Sequence, residues 1–520
     1  MSATPETRPA AETLPRPPSN LPRNATEWLA VFGPGAVIAS LTIGAGELIF
    51  SSRGGAIFGY RLLWFLSLVL LLKWTLVYCA ARHMVLTGAH PFQRWMELPG
   101  PRGWFPLVLF ILALVCFPIW VSFHAGTIGT LLSWLTATDS LFFGTGHYLW
   151  GTLALGSVLV LVFTGGYARL ERIQLMITLL MLICVVVSLF FLKPNWVELF
   201  KGLLIPQVLE YPSWITAHGE IASRPVWLEV VTYAGVIGGS GYDYLAYVSY
   251  LRSKGWGQAG QEMASHAQLQ AIASDPQHLN RQWLRAPLID CTLSFAAVLI
   301  FTAVFVACGA VVLGPQHKIP AGANLLGLQA EFVTSIYPWL RWVYFVGAFL
   351  AIYGTLYGTI EVAPTILREM AAATKQTLTE TDTQRLRRWS LLWVGFGGLL
   401  ILIGSLVYAL ITREKTPPGL IVFLTPANLF TGVLACGLIC LCTVWMDCRF
   451  VPPPLRTNQL LTVLNLVAGI VFVALGLKGY WDHNGWKSLA ILAGTIAAGF
   501  LVAWGREKTS TNHQPQPERQ

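Results

Sequence analysis

Three charged residues stand where charge is costly. Glu47, Lys73 and Asp243 lie inside long apolar stretches of the chain. An ionised side chain at mid-membrane costs at least ~2.5–3.5 kcal/mol on insertion scales, so such groups usually face a cavity or a partner. Lys73 sits in Leu70-Leu71-Leu72-Lys73-Trp74, too deep to reach an interface easily. A carboxylate beside it would favour its charged form. We therefore expect Lys73 to pair with Glu47 or Asp243, either structurally or as a counter-ion that gates a site. Each of these carboxylates follows a Gly-x-Gly: Gly44-Ala45-Gly46-Glu47 and Gly239-Ser240-Gly241-Tyr242-Asp243. Glycine weakens a helix by roughly 1 kcal/mol against alanine. Two close together either let helices pack tightly or let the chain unwind, and unwound backbone at membrane depth must be buried or line a cavity. Carboxylates and carbonyls form an oxygen donor set that suits hard cations. Glu361 could face that cavity or an inner vestibule, and Asn428, just after Pro426, could lend a neutral oxygen. His124 reads as a helix–helix contact rather than a proton carrier. Glu229, Asp290, Glu171 and Arg172, at the ends of apolar stretches, read as interface or capping residues.

The elements that must position these groups follow from composition. Of 520 residues, 55% are hydrophobic and only 11% charged, against roughly a quarter charged in soluble domains. The mean hydropathy is +0.59. These values exclude a water-soluble domain, a disordered chain, a collagen and a disulfide scaffold. Apolar runs of about 20 residues recur, each long enough to cross a bilayer. The fold class is an all-α polytopic membrane protein. Twelve spans are expected near 29–58, 60–81, 104–135, 148–166, 173–192, 226–250, 287–313, 339–366, 389–411, 418–446, 457–478 and 486–505. An even number puts both termini on one side. Lys and Arg then favour the terminal side by roughly two to one, which places the termini in the cytoplasm. The net charge of +9 is a loop bias on this reading, not a nucleic-acid surface. The nine cysteines contain no C-x-x-C pair, which argues against a disulfide framework, and they read as small apolar helix residues. Residues 1–27 and 506–520 read as disordered cytoplasmic tails, and no signal peptide is visible. The segment 252–285 is too short for a catalytic domain and carries a short amphipathic stretch. No H-E-x-x-H, G-x-S-x-G or P-loop occurs, so neither an enzyme nor a resident cofactor is expected. The two glycine-interrupted spans are the first and the sixth. Broken spans at matching places in two five-helix halves point to a transporter site.

Four further segments carry a resemblance: Gly33-Pro34-Gly35, Gly59-Tyr60-Arg61-Leu62-Leu63-Trp64, Ala80-Ala81-Arg82, and Gly354-Thr355-Leu356-Tyr357-Gly358. Over about residues 30–450 the chain resembles the Nramp family of divalent-metal transporters. The resemblance implies the leucine-transporter-type fold of two inverted five-helix repeats, with substrate bound where helices one and six unwind. The repeats would be 28–192 and 226–446, with an outer loop at 193–225 and two added helices in 447–505. The family's Asp-Pro-Gly-Asn signature corresponds here to Gly44-Ala45-Gly46-Glu47, and its Met-Pro-His to Gly239-Ser240-Gly241. The family's proton-relay pair on helices three and nine has no clear equivalent. The loss of methionine resembles Nramp-related magnesium transporters, and the chain fits a divergent bacterial branch with a Gly-x-Gly-Glu-Leu signature.

The expectation is an alternating-access transporter of a hard, partly hydrated divalent cation, with weak or no proton coupling. Glu47 and Asp243 would hold the metal. Gly44, Gly46, Gly239 and Gly241 would free carbonyls, Asn428 would assist, and Lys73 and Glu361 would serve as counter-ions or gates. The setting would be a bacterial inner membrane, the partners lipid and substrate, and the protein a monomer that binds no nucleic acid. A small organic solute, an amine or amino acid lined by Trp64, Trp74, Trp227 and Tyr242, is the alternative. A receptor or assembly protein is a second, against which the lack of a sizeable soluble domain counts.

Overall fold

A computed structural model describes residues 21–511, apart from 30, 32, 34, 36–42, 45, 165–179, 181–182, 184–185, 322–323, 375–377 and 414–418. Glu171, Arg172, most of the expected fifth span and most of both tails lie outside the described residues. Among those described, eight helices are long and apolar enough to cross a bilayer. Gly46–Thr87 and Gln459–Lys508 each carry two expected spans. The latter turns at Asn484 and Gly485, whose backbone is not helical. The third, fourth and seventh to tenth spans coincide, to within two residues at an end where they overrun, with Trp104–Thr136, Gly146–Thr164, Leu279–Leu313, Leu340–Thr374, Glu380–Thr412 and Leu420–Phe450. Their outer faces are apolar, with Val115, Phe396 and Ile411 each more than half exposed, as a lipid-facing surface requires.

The sixth span is absent from the long helices for a local reason. It forms two pieces, Val226–Val236 and Gly241–Lys254. Between them Ile237 is extended, and Gly238 and Gly239 take φ of +81° and +93°. That left-handed region is nearly free of penalty only for glycine. The second piece restarts with a capping box, in which the Ser240 amide donates to Asp243 Oδ2 at 2.8 Å. Around the corresponding Gly-x-Gly of the first span, the described residues are not α-helical. Ile43 and Gly44 form a turn, Gly46–Ser51 follows as a wide π-type turn, and Ser52–Phe58 is α-helical. π-type turns inside membrane helices often mark functional positions. The tenth span has one too, Leu429–Leu434, just after Pro426 removes a helical donor. There the backbones nearly touch: a Cβ on Gly432 would sit 1.9 Å from the Gly235 carbonyl.

The extramembrane segments are partly ordered. The 193–225 segment contains the helix Trp196–Leu204. The 252–285 segment contains His266–Ser274, which buries Leu269 and Ile272.

Candidate substrate site at the broken helices

Between the breaks lies a cavity of about 40 Å³, lined by Gly46, Cys116, Phe117, Trp120, His124, Val236, Gly239, Ser240, Tyr242, Asp243, Thr355, Thr359 and Thr431. A single water needs roughly 10–15 Å³ of such space, so the volume suits an ion with a few waters. Asp243 supplies the carboxylate. Thr355 and Thr359 lie one turn apart on the eighth span, so both hydroxyls reach the same wall. Among the described residues, no group of three or more His, Cys, Asp or Glu gathers to hold a metal. His124 and Cys116 line the cavity without joining Asp243 in such a cluster. The donors available are therefore mainly carboxylate, hydroxyl and carbonyl oxygens.

Glu47 is fully buried at the first break and crosses to the second. Its Oε1 accepts the Gly238 amide at 3.4 Å, and its Oε2 has no hydrogen-bond partner among the described residues. Its neighbour Gly46 and its contact's neighbour Gly239 both line the cavity. A buried carboxylate oxygen without a donor is costly.

Lys73 is also fully buried, but its ammonium is not on a carboxylate. Nζ donates to the carbonyls of Gly239 at 2.7 Å, Ile237 at 2.8 Å and Gly235 at 3.5 Å. Among the described residues, no carboxylate oxygen lies within ion-pairing distance of it. The expected direct pair with Glu47 or Asp243 is thus replaced by the main chain of the sixth break. Unwinding exposes carbonyls that must be satisfied, and an ammonium is the strongest donor at hand.

The other expected site residues divide. Gly239 and Gly46 line the cavity. Gly241 begins the second half of the sixth span. The Gly44 carbonyl is not free, because the Leu48 amide donates to it at 3.0 Å. Gly44 instead meets the eighth span, where a Cβ would fall 2.1 Å from Thr355 Oγ1. Asn428 lies off the cavity, with Nδ2 donating to the Thr232 carbonyl at 2.8 Å, so it ties the tenth span to the sixth. Thr431, almost one turn further on, takes the wall. Glu361 is also off the cavity, accepting Arg387 at 2.5 Å on a partly exposed face. Of the four aromatics considered for an organic pocket, only Tyr242 lines the cavity, and Trp227 is 44% exposed.

The sequence reading passed over Arg53. It is 2% exposed, pairs with Glu229 at 2.5 Å and donates to the Pro320 carbonyl at 2.9 Å. Arg224 adds an ion pair to Glu229 at 3.1 Å, and Tyr233 donates to it at 2.7 Å. Glu229 is therefore the centre of a buried ion network joining the first and sixth spans, not an interface residue. The same test that singled out Glu47, charge within an apolar run, would have found Arg53. At the other end Asp290 accepts the amides of Gly33 at 3.0 Å and Gly35 at 2.7 Å, and the Tyr247 hydroxyl at 2.9 Å. It caps, as expected, but caps the start of a different span.

Comparisons with known proteins agree with this geometry. No curated protein matches the sequence significantly. The structure superposes on a manganese transporter of Eremococcus coleocola, in complex with an aromatic bis-isothiourea substituted compound, with a TM-score of 0.65. Identity is 14%, and the match covers 94% of this chain and 97% of that one. A histidine-to-alanine mutant and a glutamate-to-glutamine mutant of the same transporter match at 0.63, again with 14% identity and 95% and 98% coverage. At this identity the likeness shows the fold, which is the leucine-transporter type. The profile of the Nramp family, natural resistance-associated macrophage protein-like, matches residues 35–482. With that match spanning most of its length and both broken helices inside it, the chain belongs to the Nramp family, a family of membrane transporters rather than enzymes.

Proposed function

We propose that the protein moves a hard divalent cation, partly hydrated, across the membrane by alternating access, with weak or no proton coupling. The observation that carries this reading is the buried Glu47 oxygen without a donor, set beside a small cavity whose carboxylate is Asp243. With both carboxylates ionised and Lys73 protonated, the site holds one unbalanced negative charge. A buried charge of that kind needs a cation or hydrogen-bond donors. The hydroxyls of Thr355, Thr359 and Thr431 add neutral oxygens and leave room for retained water, as magnesium and calcium prefer. The sulfur and imidazole on the cavity wall do not gather with Asp243, so soft-ion selectivity has little to stand on. Spans three and nine carry no carboxylate in their cores, which supports weak proton coupling. Of the aromatics that would line an organic pocket, only Tyr242 reaches the cavity, which disfavours the organic-solute alternative.

Flux into liposomes tests this. Purified protein is reconstituted around a metal-sensitive dye and offered manganese, magnesium or calcium, with internal pH followed in parallel. The expected result is metal entry without matching acidification, reduced more than about tenfold in both Glu47→Gln and Asp243→Asn. Absence of flux with all three metals would overturn the reading.

A further inference from the structure

The Lys73 ammonium is held as a coordinated ion would be held. A lysine ammonium has three donors and no acceptor. Here three main-chain carbonyls meet them, those of Gly235, Ile237 and Gly239. They converge only because the sixth span unwinds through two glycines with positive φ. The Tyr244 hydroxyl pins the same turn, donating to the Gly238 carbonyl at 2.6 Å and to that of Gly239 at 3.1 Å. Glu47, Asp243 and the Cys436 thiol stand further out, within electrostatic reach of Nζ. Carbonyl rings of this kind replace the hydration shell of small cations in channels.

The distances indicate which ion the ring fits. Its two short contacts, 2.7 and 2.8 Å, exceed the roughly 2.0–2.1 Å of magnesium and 2.3–2.6 Å of calcium. The ring is too wide for a hard divalent cation and suits a singly charged ion of ammonium size. We propose that the carbonyls of Gly235, Ile237 and Gly239 form a monovalent-cation site, which this chain fills with its own Lys73. The tethered group cannot diffuse away, so the transport cycle requires no separate monovalent ion at this site, and the divalent cargo uses the adjoining cavity. That consequence rests on the transport reading above, whereas ion binding by the ring does not.

The test therefore uses no cargo metal. Lys73→Met keeps much of the side-chain length and removes the charge. Purified wild type and variant are melted in choline, sodium, potassium and ammonium chloride at equal ionic strength. The expected result is that wild type melts alike in all four. K73M should melt lower in choline and rise saturably, by about 2–4 °C, in at least one of the small cations. Lys73→Gln is the second variant, because its amide donates hydrogen bonds without charge. It should show the same cation response. If K73Q instead behaves as wild type and neither variant distinguishes the small cations from choline, Lys73 is only a hydrogen-bonding strut and the proposal is wrong. Failure of both variants to yield folded protein even when prepared in ammonium chloride overturns it as well, since the added ion should supply the missing charge. A negative flux experiment with divalent metals would leave the melting result readable.

Discussion

The broken helix pair is closed at its two ends by different chemistry. At one end Arg53, Glu229 and Arg224 form a side-chain ion network, with Arg53 and Glu229 2% and 1% exposed. At the other a single carboxylate, Asp290, grips main-chain amides of Gly33 and Gly35 and the hydroxyl of Tyr247. On the alternating-access mechanism proposed above, each closure opens in turn. A buried ion network holds only while every member is present, because removing one strands the opposite charge. A carboxylate on backbone amides depends less on partner side chains and more on how closely the backbone approaches. The closeness is visible at Gly35, where a Cβ would fall 2.8 Å from Asp290 Cγ. The first closure is thus all-or-none in composition, and the second is graded.

The sharpest way to break this contrast is Glu229→Ala. Arg53 would keep the Pro320 carbonyl and the neighbouring Tyr233 hydroxyl, and its charge would lie buried without a carboxylate. Loss of one partner from a buried pair costs about 3–5 kcal/mol. We expect a large fall in melting temperature, and nearly as large a fall in E229Q, whose neutral amide also leaves the Arg53 charge without a counter-charge. A fall no larger than that of an exposed substitution would show that water reaches this end and that the network is not a closure.

Asp290→Ala comes next. Two amides and a phenol would lose their acceptor, at about 1–3 kcal/mol where such donors stay buried. Asp290→Asn keeps one carbonyl oxygen and should fall between Ala and wild type. That intermediate value is the signature of a graded closure. If D290N is as damaging as D290A, then the carboxylate charge, and not its acceptor geometry, closes this end.

Much of this frame was legible in the sequence, and the reasons differ by residue. Apolar run length placed the spans, since bilayer thickness dictates helix length. The breaks at Gly44-x-Gly46 and Gly239-x-Gly241 were legible because glycine is the residue that lowers helix stability without adding a donor. The partners of Lys73 were not legible. Sequence reading matches charge to charge, but an unwound helix offers carbonyls, and these exist as acceptors only once φ at Gly238 and Gly239 is known. Asn428 and Glu361 were misplaced for a related reason. Each lies on a helix at about the right depth, but a helical residue meets a cavity only if its face does. The rotation of the tenth and eighth spans brings Thr431, Thr355 and Thr359 to the wall instead. Asp290 and Glu229 were recognised as end residues, but which span each would close depends on tertiary contacts across more than 170 positions.

The smallest expected effect isolates burial as the cause of the largest. Arg387 and Glu361 approach to 2.5 Å, the same separation as Arg53 and Glu229. The chemistry is an arginine with a glutamate in both, and only the surroundings differ: 49% and 22% exposed in one pair, 2% and 1% in the other. Exposed pairs contribute about 0–1 kcal/mol, because water screens the attraction and two long side chains lose freedom. Arg387→Ala should therefore barely move the melting temperature. Its effect should shrink further in high salt, which screens exposed charges more than buried ones. Metal flux should be unchanged, since Glu361 does not line the cavity. A loss of flux in R387A with normal melting would place Glu361 on the transport path after all, and would show that the exposed pair moves during the cycle.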